Sequence, residues 1–164
     1  MNLWIIRHAL AEEASPSGED ARRALTQDGR DRFARGVRGL ARIGARFDLV
    51  LHSPLLRAQE TADLLDPVCD GETSVTAALA RPPDDELLAE IAGEAVALVG
   101  HEPWLSQTAA WLIFGWKVYE GDPTTTLIEL KKGAAAHLVG EARPGGMRLS
   151  ALYPPAALRA LGRR

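Results

Sequence analysis

Three short groups of residues carry side chains that could do chemistry together. Arg7 and His8 follow the apolar run Leu3-Trp4-Ile5-Ile6. Arg57 comes soon after Phe47-Asp48-Leu49-Val50-Leu51-His52, and His101 directly follows Glu94-Ala95-Val96-Ala97-Leu98-Val99-Gly100. An imidazole beside a fixed cation, with a second guanidinium and a second imidazole placed in the same way, points to chemistry on an anion. Guanidinium forks bind the oxygens of a dianionic phosphoryl group through paired, charge-assisted hydrogen bonds. A neutral imidazole nitrogen attacks phosphorus in line and splits one displacement into two. A second imidazole, when protonated, donates a hydrogen bond where charge builds up. Histidine suits both tasks because its unperturbed pKa is ~6.5 and small shifts choose its charge state. The positive charge is built into these side chains, so the chemistry requires no metal.

Each piece alone has a plain explanation. An Arg-His pair can be a surface strand end, Arg57 a solvated helix residue, and His101 a hydrogen-bonded core histidine. It is the repetition, three times, of apolar run, polar residue and helix start that carries the reading.

The elements that must position these residues are legible. Leu3–Ile6 reads as a short strand buried on both faces. A buried strand has no cheap place for an unpaired charge, so the strand ends at Arg7 and His8 and both emerge at its carboxyl edge. In an open α/β sheet that edge is where ligands bind. Ala9 to Asp20 is small, acidic and turn-rich, which predicts a loop over the site. Thr26 is a good helix N-cap with Asp28 in the first turn, and Phe33, Val37, Leu40 and Ile43 follow as one apolar stripe. Arg30, Arg32, Arg35, Arg38 and Arg42 lie mostly off that stripe. They read as a solvated face rather than a polyanion groove, because no aromatic ladder is interleaved.

Phe47–His52 is a second strand. Ser53 as N-cap and Pro54 at the first helical position predict a helix there, ending near Asp66-Pro67, with Thr61 on the same face as Arg57. Thr73–Thr76 reads as a short edge strand. Pro82-Pro83 opens a helix with Asp84, Asp85 and Glu86 at its amino end, ended by Gly93. Glu94–Gly100 is a further buried strand, and Pro103 marks the first turn of the helix after it. Thr125–Leu130, Ala135–Val139 and Met147–Leu152 are strand-like, with Gly133 and Gly145-Gly146 at turns, and Pro154-Pro155 begins a terminal helix. The expected fold class is α/β, a three-layer α/β/α sandwich with a mostly parallel central sheet, in one domain over residues 1–164.

Bulk composition is that of an ordinary globular chain: 164 residues, 46% hydrophobic, 25% charged and a formal net charge of -3. Nothing overall favours nucleic acid or an anionic membrane as partner. No apolar run approaches the ~20 residues of a bilayer span, and the amino end lacks the pattern of a signal peptide. The single cysteine, Cys69, fits a reducing compartment and reads as a packed or half-exposed residue. Cytoplasmic location and no cofactor are the expectations. Trp104, Trp111 and Trp116 cluster around one helix and read as packing residues.

The motifs resemble a known family. Ile6-Arg7-His8-Ala9, Ser53-Pro54-Leu55-Leu56-Arg57-Ala58-Gln59-Glu60-Thr61-Ala62 and Val99-Gly100-His101-Glu102-Pro103 are similar, in order, to the three signatures of the histidine phosphatase superfamily, the phosphoglycerate mutase-like or RHG-motif group. The short length, and Asp20-Ala21-Arg22-Arg23-Ala24-Leu25-Thr26-Gln27-Asp28-Gly29, resemble its SixA-type phosphohistidine phosphatase branch, whose segment reads DxxRPLTxxG. The resemblance spans essentially the whole chain. Ala9 stands where the superfamily usually has glycine, and Ala24 where the branch has proline; neither change removes a catalytic group.

The resemblance implies a phosphoglycerate mutase-like fold and a metal-independent phosphatase that works through a phosphohistidine on His8. Arg7, Arg57 and His101 would form the phosphate pocket. Arg23 would reach its rim or tie down the loop. Larger members use an acid beyond mid-chain to protonate the leaving group; Asp84 and Asp85 lie in that region, although at a helix start they also serve the dipole. A phosphoramidate leaving group needs less help. The implied partner is a phosphohistidine protein. The alternatives are a small phosphorylated substrate cleaved as a phosphomonoester, and a phospho-ligand binding module without turnover. His52 and Glu102 flank the site, and His137 reads as structural.

Overall fold

The computed structural model describes residues 1–115 and 127–163. Its centre is a six-stranded sheet built around β1 (Asn2–Arg7). On one side β1 pairs in parallel with β4 (Ala95–Gly100), which pairs in parallel with β2 (Phe47–His52), and β2 carries the parallel edge strand β3 (Cys69–Val75). On the other side β1 pairs antiparallel with β5 (Ala135–Gly140), which pairs antiparallel with the edge strand β6 (Met147–Tyr153). Only β5 runs against the rest, so the sheet is mostly parallel, as expected.

The two-residue period of β1 divides the core. Trp4 and Ile6 face one layer, where Phe33, Val37 and Leu40 of α1 (Gln27–Arg42), Ala58 of α2 (Leu56–Asp63) and Leu158 of α5 (Pro155–Leu161) pack on them. Leu3 and Ile5 face the other, against Leu87 of α3 (Asp85–Glu90) and Leu105, Ala109 and Leu112 of α4 (Trp104–Phe114). The helices therefore cover both faces, giving the three-layer sandwich. His137 is structural, as expected: its ring stacks on Trp4 with centroids 4.3 Å apart and it meets Asn2 Oδ1 at 2.9 Å.

α1 and α5 cross at backbone contact. A Cβ on Gly39 would lie 2.1 Å from the Leu158 carbonyl oxygen, and one on Gly162 would lie 2.0 Å from that of Arg35. Glycine is required at both positions because no side chain fits between the two backbones.

Several boundaries differ from expectation, each for a local reason. Ser53 is not the N-cap of the helix after β2, nor is Pro54 its first residue. That helix starts at Leu56 with Leu55 as N-cap, because the Ser53 hydroxyl has a long-range partner described below. It ends at Asp63, and a 3-10 turn, Asp66–Val68, covers the region around Pro67. β3 is longer than Thr73–Thr76 because pairing with β2 begins at Cys69. α3 closes at Glu90, before Gly93. Of the strand expected over Thr125–Leu130, residues 127–130 are a bend and coil, while Thr125 and Thr126 lie outside the described residues, as does Trp116. Trp111 is buried, in line with a packing role.

Candidate active site

The β1–β4 register puts Arg7 opposite Gly100, so the residues that follow, His8 and His101, leave the sheet side by side. Their ring centroids are 5.1 Å apart. The His8 amide donates to the Gly100 carbonyl (3.0 Å), and the Gly133 amide donates to the carbonyls of Arg7 and His8 (3.1 Å each). The nucleophile candidate is thus held from β4 on one side and from the turn before β5 on the other. The Ser53 amide donates to the Val99 carbonyl at 3.0 Å, which fixes the end of β2 beside the end of β4, and α2 then brings in Arg57.

Hydrogen bonding decides the tautomer of His8. His8 Nδ1 lies 2.7 Å from the Ala9 carbonyl oxygen. A carbonyl only accepts, so Nδ1 carries the proton and Nε2 keeps its lone pair. Ser53 Oγ, fully buried, accepts from the Leu55 amide at 3.3 Å and meets His101 Nε2 at 2.8 Å. In the tautomer in which the Ser53 proton goes to Nε2, neutral His101 carries its own proton on Nδ1. Both rings are neutral near pH 7. Burial, set against the Ala9 hydrogen bond and aided by the charges of Arg57, Arg7 and Lys132, lowers His8 to about 4. Burial, with His8 and Arg57 next, lowers His101 to about 3.

The guanidiniums are held but not saturated. Arg7 Nη1 donates to the Leu130 carbonyl at 2.7 Å. Arg57 Nη1 donates to the Asp20 carbonyl at 2.9 Å, and its Nη2 to Asp20 Oδ2 at 3.1 Å. Arg7 Nε, Arg57 Nε and His101 Nδ1 are buried and have no hydrogen-bond partner among the described residues. Buried N–H groups are almost always paired, so the open donors of these residues are suited to taking an anion.

The rest of the site is support. Thr61 Oγ1 accepts from the Ala9 amide (3.0 Å) and donates to the Arg57 carbonyl (2.6 Å), tying the loop after His8 to α2. Arg23 donates to Asp20 Oδ1 at 2.8 Å and to the Glu12 carbonyl at 3.1 Å. It ties down the loop and, through Asp20, touches Arg57. His52 Nδ1 bonds the Ser53 carbonyl at 2.9 Å. Glu102 accepts from the Ser106 hydroxyl (2.6 Å) and amide (3.3 Å), capping α4 where Pro103 has no side-chain oxygen to do so; burial pushes its carboxyl up. Asp84 is the N-cap of α3, accepting from the Glu86 and Leu87 amides at 3.1 and 3.2 Å and pairing with Arg81. Asp85 stands in the first turn of α3, and no hydrogen bond or ion pair links Asp84 or Asp85 to His8, Arg57 or His101 among the described residues.

Two participants were missed by sequence reasoning. Ser53 carried a helix-cap signature that hid its bond to His101. Asp20 sat inside a recognised segment, with nothing in the sequence to pair it with Arg57.

Comparison with known proteins agrees with this geometry. The family model of the histidine phosphatase superfamily (branch 1) matches residues 3–80. An uncharacterised protein of Picosynechococcus sp. is 34% identical over 144 residues, covering 82% of this chain and 87% of that one. The protein histidine phosphatase SixA, solved with tungstate, superposes with a TM-score of 0.76 at 23% identity, covering 96% of this chain and 99% of that one. A phosphoserine phosphatase of Entamoeba histolytica, solved with 3-phosphoglyceric acid, gives 0.68 at 16% identity, covering 96% and 98%. A mycobacterial glucosyl-3-phosphoglycerate phosphatase, solved with VO3, gives 0.69 at 17% identity, covering 93% and 99%. The matched signatures, the shared fold and the relative together show that this chain belongs to the histidine phosphatase superfamily.

Proposed function

We propose that the chain is a phosphatase acting through a phosphohistidine on His8, with phosphohistidine in a protein as its substrate. The observation that carries the reading is the set of buried nitrogens without a partner, Arg7 Nε, Arg57 Nε and His101 Nδ1, in the residues at the strand ends where the His8 and His101 rings meet. In the first step Nε2 gives its pair to phosphorus. The bond from phosphorus to the leaving nitrogen breaks, and that nitrogen keeps the bonding pair. A substrate imidazole already protonated at its other nitrogen leaves neutral and needs no general acid. In the second step water attacks phosphorus, the bond to His8 breaks, its pair returns to Nε2 and inorganic phosphate departs. The two guanidiniums and the His101 N–H hold the equatorial oxygens as charge develops. The protein substrate class accords with the fold likeness to SixA, and the single cysteine with a cytoplasmic location.

The test pairs a histidine-phosphorylated peptide with p-nitrophenyl phosphate, each with wild type and His8→Ala, in the presence of a chelator. Selective phosphate release from the peptide, lost in the variant, is the expected result. Faster release from the ester makes the chain a phosphomonoesterase. Phosphate binding without turnover of either substrate makes it a binding module and overturns the enzyme reading.

A further inference from the structure

A cavity of about 520 Å³ opens beside the candidate active site and shares Arg7 with it. Its other charged lining is Arg32, Lys131, Lys132 and Arg159, with no carboxylate, over a floor that includes Phe33 and Pro154. The positive surface does not stop there. A second hollow joins Arg32 and Arg159 to Arg35 and Arg163, and a third joins Arg35 and Arg163 to Arg38 and Arg42. Each hollow shares residues with the next, so the cations form one band from Arg7 along the seam between α1 and α5.

Two features make this more than a solvated helix face. The glycine contacts at Gly39 and Gly162 press α5 onto α1, so arginines from both helices line one surface. Of the eight cations beyond Arg7, only Arg32 has an ion pair among the described residues, with Asp28 at 2.8 Å; Arg42 donates to the Leu161 and Arg163 carbonyls. Asp31, also on α1, is held by Gln27. Such a run of unneutralised like charge stands on a chain whose net charge is -3.

We infer that this band docks an acidic segment of the protein whose phosphohistidine enters the site, an inference that rests on the phosphatase reading above. Length argues for a polypeptide over a small metabolite. From Arg32 to Arg42 the helix alone advances about 15 Å, beyond the reach of a compact phosphorylated molecule seated at His8. An acidic peptide is favoured over nucleic acid because no exposed aromatic side chain lines the hollows to stack on bases.

The experiment uses a fluorescent acidic peptide of about ten residues, long enough when extended to cover the band. It is made unphosphorylated and with one phosphohistidine, beside a Gly/Ser-flanked phosphohistidine control. Anisotropy reads binding of the unphosphorylated form, and phosphate release reads turnover. The acidic peptide is expected to bind wild type and to gain about tenfold in kcat/KM over the control. Both effects should fall in Arg35→Glu/Arg38→Glu and in Lys131→Glu/Lys132→Glu, and at about 0.5 M salt. No binding to wild type, or equal turnover of the two phosphopeptides, overturns the docking surface while the phosphatase reading stands. Displacement of the peptide by duplex DNA at lower concentration than by unlabelled peptide overturns it in favour of nucleic acid. Binding that both charge reversals abolish, with no turnover of any phosphopeptide, supports the surface and sinks the phosphatase reading instead.

Discussion

The Asp20 carboxylate rests on the Arg57 guanidinium, Oδ2 to Nη2 at 3.1 Å, while the Asp20 main-chain oxygen takes Nη1 at 2.9 Å. Partial burial pushes this carboxyl up, but the charge and hydrogen bond of Arg57, with Arg23 behind, win and hold it below the usual range. An anion bound at Arg57 therefore meets a cation already partly neutralised. Asp20→Asn keeps the shape and the main-chain bond but removes the charge. Because the Asp20 side chain is two-thirds exposed, the effect has the size of a solvent-screened pair, ~0.4–1 kcal/mol. Inhibition by inorganic phosphate or vanadate should tighten about two- to fivefold in this variant. A weaker inhibition constant would show that Asp20 serves to aim Arg57, not to temper it.

The pH dependence follows from the two histidines. In the proposed mechanism His8 attacks through a free lone pair, so activity would need its neutral form, which persists down to about 4. The acid limb of kcat/KM should therefore lie near pH 4, well below an ordinary histidine. Stability has the same sign. Between the unfolded value near 6.5 and the folded values of about 4 and 3, the unfolded chain binds protons that the folded chain refuses. Stability is complete above the unfolded value and declines as pH falls through that window, by about 1.4 kcal/mol per pH unit for each ring. Urea unfolding at pH 7 and pH 5, compared with a variant carrying Gln at both histidines, measures it. A wild type as stable at pH 5 as at pH 7 would contradict the assignment.

Thr61 links the site to α2 through one hydroxyl that accepts from Ala9 and donates to Arg57. Thr61→Val keeps the volume and strands the buried Ala9 amide, at a cost of about 1–3 kcal/mol. For a chain of this size the melting temperature should fall by roughly 2–4 °C per kcal/mol. The loop after His8 loses its tether at the same time, so kcat should drop by more than KM rises. A loss of stability with unchanged kcat would make Thr61 purely structural.

Much of this was readable in advance because strand ends and charged residues conflict locally. β1, β2 and β4 are apolar runs that stop at Arg7, His52 and Gly100, and the side chains just beyond them, His8 and His101, had to emerge together. What escaped reading depends on partners distant in sequence. Ser53 and His101 are 48 residues apart, and the local Ser-Pro signal for a helix cap outweighed a bond no window could see. Gly36 and Gly39 are buried positions of α1 that lack a side chain without any local reason; their meaning emerges only where α5 lies on them. The arginines of α1 are exposed or half-buried, as expected, yet their continuity with Lys131, Lys132, Arg159 and Arg163 is a product of tertiary packing alone.

β1 lies between β4 and β5, and its last residues are bonded to Gly100 on one side and Gly133 on the other. On a ribosome this means that β1 is made well before the residues that fix its end. His8 emerges early, but its main chain has no neighbour until residues 95–100 arrive, and its second one only when residue 133 has been added. Arg7, His8 and Arg57 are therefore all made before the strand that brings in His101, and the end of β1 gains its second partner only with Gly133. The contact of His8 with Gly133 spans more than a hundred residues, a separation that slows folding because loop-closure entropy is lost before the contacts form. The end of β1 is thus held only once the chain has passed Gly133.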